Sequence, residues 1–139
     1  MSSVYPLVSV NLDLKKSSEL SFPFSDFGFL YGYGLFESIR IQNGQPVLLK
    51  EHIARLKRGS IILDIPFTYE VEQLSISVYK LIKENNVENS ILNMYLTPGD
   101  RGTDPAKLEI KAPFFLMVLR DRPEYDRDQK VSLDVRQES

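Results

Sequence analysis

The stretch that decides the fold is Asp26-Phe-Gly-Phe-Leu-Tyr-Gly-Tyr-Gly-Leu-Phe-Glu-Ser-Ile-Arg40. Its first half is crowded with phenylalanine, tyrosine and glycine and shows no helical period. Residues 35–42 alternate as a half-buried strand does, with Ile39 and Ile41 facing inward. Asn43-Gly44 follows at once, and this pair is typical of a two-residue hairpin because a type I′ turn needs positive φ at both positions. The sequence therefore predicts an irregular aromatic segment that leads into a hairpin.

The patterns on both sides of this hairpin predict an α+β domain. The order of predicted elements, β-β-β-α-α-β-β-β, lacks the strict βαβ alternation of a doubly wound fold. We therefore expect a mostly antiparallel sheet with two helices packed on one face. The continuous apolar run at residues 114–119 predicts a strand in the middle of that sheet. The other predicted elements are strands at residues 8–14, 46–49, 90–97 and 130–135, a helix at 50–64, and a second helix that begins at Thr68 as N-cap and ends before Asn85.

Composition and charge exclude several classes of protein. Of the 139 residues, 42% are hydrophobic and 26% charged, which is enough apolar material for a core. A net charge of −2 argues against nucleic-acid binding as the main function. The absence of cysteine excludes disulfide scaffolds and thiol catalysis, and one histidine, His52, is too few for most transition-metal sites. Residues 1–14 predict neither a signal peptide nor a membrane span, so we expect a cytoplasmic protein without metal, nucleic-acid or membrane partners.

The aromatic and glycine-rich stretch is the first candidate site. Its glycines could cradle a phosphate, but no helix is predicted to start after them, as a dinucleotide-binding motif requires. Its aromatic rings could stack nucleic-acid bases, but the stretch lacks the interleaved lysine and arginine of such sites. The alternative is an irregular, aromatic-rich part of the core.

The second candidate site is Glu51-His-Ile-Ala-Arg-Leu-Lys-Arg-Gly59. His52, Arg55 and Gly59 are three and four residues apart, so they share one edge of the predicted helix. A glycine inside a helix costs about 1 kcal/mol relative to alanine, and a bulky group close to Arg55 would explain it. The planar fork of arginine suits phosphate or carboxylate. The alternative is a solvated basic face.

The third candidate site is the loop Thr97-Pro-Gly-Asp-Arg-Gly102, which directly follows a predicted strand. Loops at strand ends are where a rigid scaffold presents groups to a ligand. Arg101 could therefore bind an anionic substrate. The alternative is an exposed turn arginine paired with Asp100, an interaction that contributes little.

In this order and spacing, the three stretches resemble the fold-type IV pyridoxal-phosphate enzymes. That family includes branched-chain and D-amino acid aminotransferases and aminodeoxychorismate lyases. Two positions depart from its pattern, since Tyr33 stands where aspartate is usual and Phe27 where arginine is usual. The resemblance is dense over residues 26–65 and rests on Asp26-Phe-Gly-Phe29, Tyr31-Gly-Tyr-Gly-Leu-Phe-Glu37, Ile39-Arg40, Asn43-Gly44 and Glu51-His-Ile-Ala-Arg-Leu56.

The resemblance implies a role for each candidate residue. Arg55 would grip the phosphate of pyridoxal 5′-phosphate, and Tyr31, Phe36 and Ser38 would line the substrate pocket beside the cofactor ring. Arg101 would lie over the carboxylate of a small-molecule substrate. The resemblance also implies a homodimer, with the cofactor between a small N-terminal and a large C-terminal domain.

The resemblance further implies that this chain lacks the Schiff-base lysine. In the family that lysine lies just beyond a strand like the one at residues 130–135, in a Lys-x-x-Asn context, and no lysine here combines these features. We therefore expect residues 1–125 to form the small domain, and residues 126–139 a linker and the start of the large domain. The chain alone would be inactive. The alternative is a non-catalytic α+β binding domain that keeps the family scaffold.

The substrate class is predicted from two short stretches. Phe36-Glu-Ser-Ile-Arg40 is similar to the Phe-Glu-Thr-Ile-Arg of lyases and D-amino acid aminotransferases. Arg101-Gly-Thr103 lacks the histidine of the D-specific enzymes and is similar to the lyase loop. The resemblance therefore favours an aminodeoxychorismate lyase, with an amino-acid aminotransferase as the alternative.

Overall fold

The computed structural model describes residues 4–100 and 112–121, which fold into one antiparallel sheet with helices. The elements are β1 (Val4–Val10), β2 (Asp13–Lys16), a 3₁₀ turn (Ser17–Glu19), α1 (Phe27–Tyr31), β3 (Leu35–Gln42), β4 (Gln45–Pro46), α2 (Leu49–Ile62), α3 (Val71–Glu84), β5 (Ser90–Thr97) and β6 (Phe114–Asp121). The strand order is β2-β1-β6-β5-β3-β4, so β6 lies inside the sheet as its apolar run predicted. The α+β fold class, a mostly antiparallel sheet with the two helices α2 and α3 packed on one face, is confirmed.

The two faces of the sheet differ in character. On the helix face, α2 and α3 cover the strands, and the buried side chains form one apolar cluster. The cluster includes Ile39, Ile41, Ile53, Leu56, Leu74, Leu81, Leu92, Met94, Phe115 and Met117. We call the opposite side the open face and define it by Phe36, Ser38 and Arg40 of β3, with Tyr95 and Leu116 beside Phe36 in the register. These three β3 side chains are exposed, because alternate residues of a strand point to opposite faces.

Strand β3 is also an outer edge of the sheet along much of its length. Strand β4 is only two residues long and pairs only with Ile41 and Gln42. Within the described part of the chain, residues 35–39 therefore pair with β5 on one side and with no strand on the other. A ligand placed at this free edge can contact side chains from both faces of β3.

The first predicted strand is wrong in its bounds. Residues 8–14 are not one strand, because the chain turns at Asn11 and Leu12, which have φ of 49° and 72°. Strands β1 and β2 pair across this turn, with Val10 opposite Asp13. The backbone N–H of Asn11 donates to the carbonyl of Phe115, and its side-chain oxygen accepts from the Phe115 N–H. These tertiary contacts to β6 fix a turn that local alternation does not reveal.

The expectation of no helix in the aromatic segment is also wrong, since α1 forms there. Gly32 ends α1 with a left-handed φ of 65°. A helix of five residues is too short to show a 3.6-residue period, which is why the pattern missed it.

The remaining described elements agree with the sequence-based predictions except at their ends. Asn43 and Gly44 have φ of 52° and 73°, as the predicted hairpin requires. The return strand is shorter than expected, and α2 begins at Leu49. Helix α3 begins after Glu70 and not after Thr68, because Glu70 and Gln73 form a reciprocal capping box. The strand predicted at residues 130–135 lies outside the described residues. None of the described helices is long and apolar enough to cross a membrane.

Candidate functional site

A buried carboxylate organises the helix side of the site. Glu37 of β3 is 8% exposed and points to the helix face between Phe36 and Ser38, which point to the open face. Arg55 of α2 donates to it twice, from Nε to Oε2 and from Nη2 to Oε1, each at 2.9 Å. His52, one helical turn earlier, lies with Nδ1 2.7 Å from Oε1. Because an ionised carboxylate only accepts, this nitrogen carries the proton.

The electrostatics of this cluster keep Glu37 ionised. Burial alone would raise the pKa of Glu37, but the hydrogen bonds and charges of Arg55 and His52 outweigh it and hold that pKa below its usual value. In return, the Glu37 carboxylate raises the pKa of Arg55. At neutral pH the pair is therefore a bidentate ion pair, the strong form of the arginine–carboxylate interaction.

Arg55 remains available to a ligand although Glu37 holds it. Its side chain is 63% exposed, whereas that of Glu37 is 9% exposed. The two bonds to Glu37 use Nε and Nη2, so Nη1 has no hydrogen-bond partner among the described residues. An exposed guanidinium with N–H groups to spare, fixed beside the free edge of β3, fits a phosphate group.

The structure gives Gly59 a different explanation from a bulky group beside Arg55. A Cβ at this position would lie 2.8 Å from Cδ2 of Leu35, the first residue of β3. Close packing of α2 on β3 is therefore a second reason for the glycine, beside the predicted group near Arg55.

A pocket of about 370 Å³ opens on the other side of β3. It lies between the α1 segment and the open face, and five of its twelve lining residues are aromatic. Phe36 lines it and is 55% exposed, whereas Tyr31 of α1 is not a lining residue; it is 69% exposed and packs its ring against Phe27. Ser38 follows Phe36 on the open face. The principal lining residues are Phe22, Phe29, Phe36, Tyr95, Phe114 and Leu116.

A second buried carboxylate, Asp26, fixes the wall of this pocket. It is 2% exposed, and its Oδ1 accepts from the backbone N–H groups of Gly28 and Phe29, which caps α1. Its Oδ2 accepts from the hydroxyl of Thr97 at 2.8 Å, and the Phe27 N–H donates to the Gly99 carbonyl. These bonds tie α1 to the end of β5.

The two departures from the family pattern have packing roles. The hydroxyl of Tyr33 donates to the carbonyl of Leu63 at 2.5 Å, which joins the start of β3 to the end of α2. Phe27 packs its ring on that of Tyr31, with the centroids 4.9 Å apart. Neither side chain is a member of the Glu37 cluster.

The predicted site residues thus fall into two groups on opposite faces of β3. Phe36 and Ser38 belong to the open face and Arg55 belongs to the helix face, while Tyr31 lies apart from β3 at the end of α1. Arg101 lies outside the described residues. The sequence analysis did not identify Glu37 as a site residue. Its position two residues before the inward Ile39 predicts a buried carboxylate, and this could have indicated its role.

The chain resembles known proteins in sequence along much of its length. The model of the amino-transferase class IV family matches residues 34–139. A D-alanine aminotransferase of Staphylococcus epidermidis is 28% identical over 130 residues, which cover 89% of this chain and 45% of that protein. An aminodeoxychorismate lyase of Bacillus subtilis is 41% identical over 92 residues, or 63% of this chain and 31% of that protein. The chain thus spans less than half the length of these relatives.

A solved structure shows the same fold. The branched-chain amino acid aminotransferase of Escherichia coli superposes with a TM-score of 0.75 at 20% identity. The match covers 87% of this chain and 41% of the other.

Proposed function

The chain belongs to the class IV aminotransferases, and from this we propose that it is the N-terminal part of an enzyme that binds pyridoxal 5′-phosphate. The observation that carries the proposal is the exposed Arg55 guanidinium, held by buried Glu37 beside the free edge of β3. In this proposal Arg55 binds the cofactor phosphate. The cofactor, when bound, supplies an electron sink for bond breaking at the substrate's α-carbon.

The open face supplies the substrate contacts in this proposal. Phe36 and the aromatic pocket pack on the substrate and exclude water, while Tyr31 and Ser38 offer hydroxyl groups at the rim. Arg101 binds the substrate carboxylate. A ligand at the free edge of β3 reaches both the open-face side chains and Arg55 on the helix face, because residues 36–38 alternate between the two faces. The substrate is an amino acid or an aminodeoxychorismate-type molecule, and the stretch at residues 36–40 favours the lyase.

The proposal predicts that the 139-residue chain lacks the cofactor-binding lysine. Mixed with pyridoxal 5′-phosphate and reduced with borohydride, it is expected to carry no stoichiometric adduct on a single lysine. The protein from the complete gene is the matched control, and its adduct is expected on a lysine outside these residues. Mass spectrometry of the peptides decides it. A specific adduct within the 139 residues would place the active site elsewhere, and no adduct in either protein would favour the non-catalytic binding domain.

We also propose that the intact enzyme is a cytoplasmic homodimer. Support for the location is the cysteine-free composition, and support for the dimer is the exposed aromatic surface. Phe22, Phe29 and Phe36 line one pocket and are 45% to 66% exposed, and Tyr31 of α1 is 69% exposed. A contiguous apolar patch of this kind seldom stays uncovered in water.

The exposed surface predicts that the 139-residue chain self-associates, most simply as a twofold dimer. Light scattering at micromolar concentration measures it. Phe36→Ser, which removes one exposed ring from the patch, is expected to shift the equilibrium toward monomer, while Ile76→Ser, exposed on the outer side of α3, is expected to leave it unchanged. A monomer of 16.0 kDa that binds no hydrophobic dye would contradict the prediction.

A further inference from the structure

Glu37 is placed to control the direction of the Arg55 guanidinium. An exposed arginine side chain samples many rotamers, and it must give up most of that freedom when it binds a ligand in one geometry. Here a carboxylate on the rigid strand β3 accepts from two nitrogens of the fork, so both the position and the plane of the guanidinium are set before any ligand arrives.

His52 completes this arrangement by restricting Glu37. Its Nδ1 is 2.7 Å from Oε1, the same oxygen that accepts from Arg55 Nη2. The carboxylate is thereby held on both sides by residues of α2, and its side chain is almost fully buried. A rigid acceptor orients the donor better than a mobile one does, which is the reason for preorganised sites.

We propose that Glu37, held by His52, is a positioning residue that presents Arg55 to the cofactor phosphate; this rests on the proposed function of Arg55. One effect opposes positioning, because the negative charge of Glu37 also repels a phosphate. The geometry favours positioning, since Glu37 occupies the Nε side of the fork and leaves Nη1 to the ligand.

The test compares two probes that differ only in the phosphate. Pyridoxal 5′-phosphate and pyridoxal are titrated into the apo form of the protein from the complete gene, and the ratio of their affinities measures the phosphate contribution. Glu37→Gln is expected to lower this ratio about tenfold, the loss that follows from weakening a charge-assisted pair, while the affinity for pyridoxal stays unchanged. Glu72→Gln, an exposed glutamate in the first turn of α3, is the matched control and should leave both affinities unchanged.

A double variant shows whether Glu37 acts through Arg55. Arg55→Ala alone is expected to lower the ratio further than Glu37→Gln does, and Glu37→Gln added to Arg55→Ala is expected to lower it no further. Equal weakening of both probes by Glu37→Gln would mean a merely structural role, and a higher ratio would mean that Glu37 competes with the phosphate. Either result overturns the proposal and leaves the function intact, whereas an unchanged ratio in Arg55→Ala overturns the proposed function itself.

A second variant keeps the test decisive if Glu37→Gln does not fold. Glu37→Asp retains the charge but is one methylene shorter, so it draws the guanidinium away from its place. Positioning predicts a lower affinity ratio in Glu37→Asp, whereas a purely electrostatic role predicts the wild-type ratio.

Discussion

Asp26→Ala is expected to lower the free energy of unfolding by about 3 kcal/mol, measured by urea denaturation of the 139-residue chain. The substitution removes the N-cap of α1, which contributes about 1 kcal/mol. It also leaves the part-buried Thr97 hydroxyl without its acceptor, whereas the cost of the uncapped N–H groups of Gly28 and Phe29 is already included in the loss of the N-cap. Unsatisfied buried polar groups cost about 1–3 kcal/mol each, less where the end of α1 moves to reach water.

Asp26→Asn is the matched control for this loss. Asparagine caps helices as well as aspartate does. Its amide oxygen still accepts from the two N–H groups, while its nitrogen only donates, so the Thr97 hydroxyl changes from donor to acceptor in this contact. We expect it to lower the free energy of unfolding by less than about 1 kcal/mol. If alanine and asparagine had equally small effects, the Asp26 hydrogen bonds would not be what ties α1 to β5.

The sequence predicted the parts of this fold that local periodicity controls. Strand β3, the hairpin at Asn43-Gly44 and strand β5 appear at the predicted residues, because two-residue alternation and turn chemistry act over short distances. The predictions failed where contacts between residues far apart in sequence determine the local structure. The turn at Asn11 depends on Phe115, which is far away along the chain.

Of the residues in the Glu37 cluster, the sequence predicted Arg55 as a site residue and not its partner Glu37. Helix spacing and the chemistry of arginine predicted Arg55 as an anion-binding residue, the resemblance predicted its role with the cofactor phosphate, and the structure adds that it is exposed and fixed by Glu37. The partner was missed because a charged residue within a strand was assigned to no face, although its spacing from Ile39 places it on the buried one. The contact between Gly59 and Leu35 could not be predicted, since the two residues are distant in sequence and only the fold brings them together.

Loss of the proposed phosphate contact at Arg55 is expected to have the largest effect on cofactor affinity. Arg55→Ala is expected to weaken binding of pyridoxal 5′-phosphate to the protein from the complete gene by about 2–3 kcal/mol, the contribution of a charge-assisted pair. The variant also leaves Glu37 buried beside His52 without its arginine, so urea denaturation should accompany the titration to separate a loss of fold from a loss of contact.

Arg58→Ala is the matched control, because Arg58 is an exposed arginine of the same helix, three residues later, and is not a member of the Glu37 cluster. The equilibrium affinity of the apo protein for pyridoxal 5′-phosphate, measured in these two variants, shows whether Arg55 holds the phosphate. We predict a loss of about 30-fold or more in Arg55→Ala and the wild-type affinity in Arg58→Ala. Equal affinities in the two variants would contradict the assignment of Arg55 as the residue that holds the cofactor phosphate.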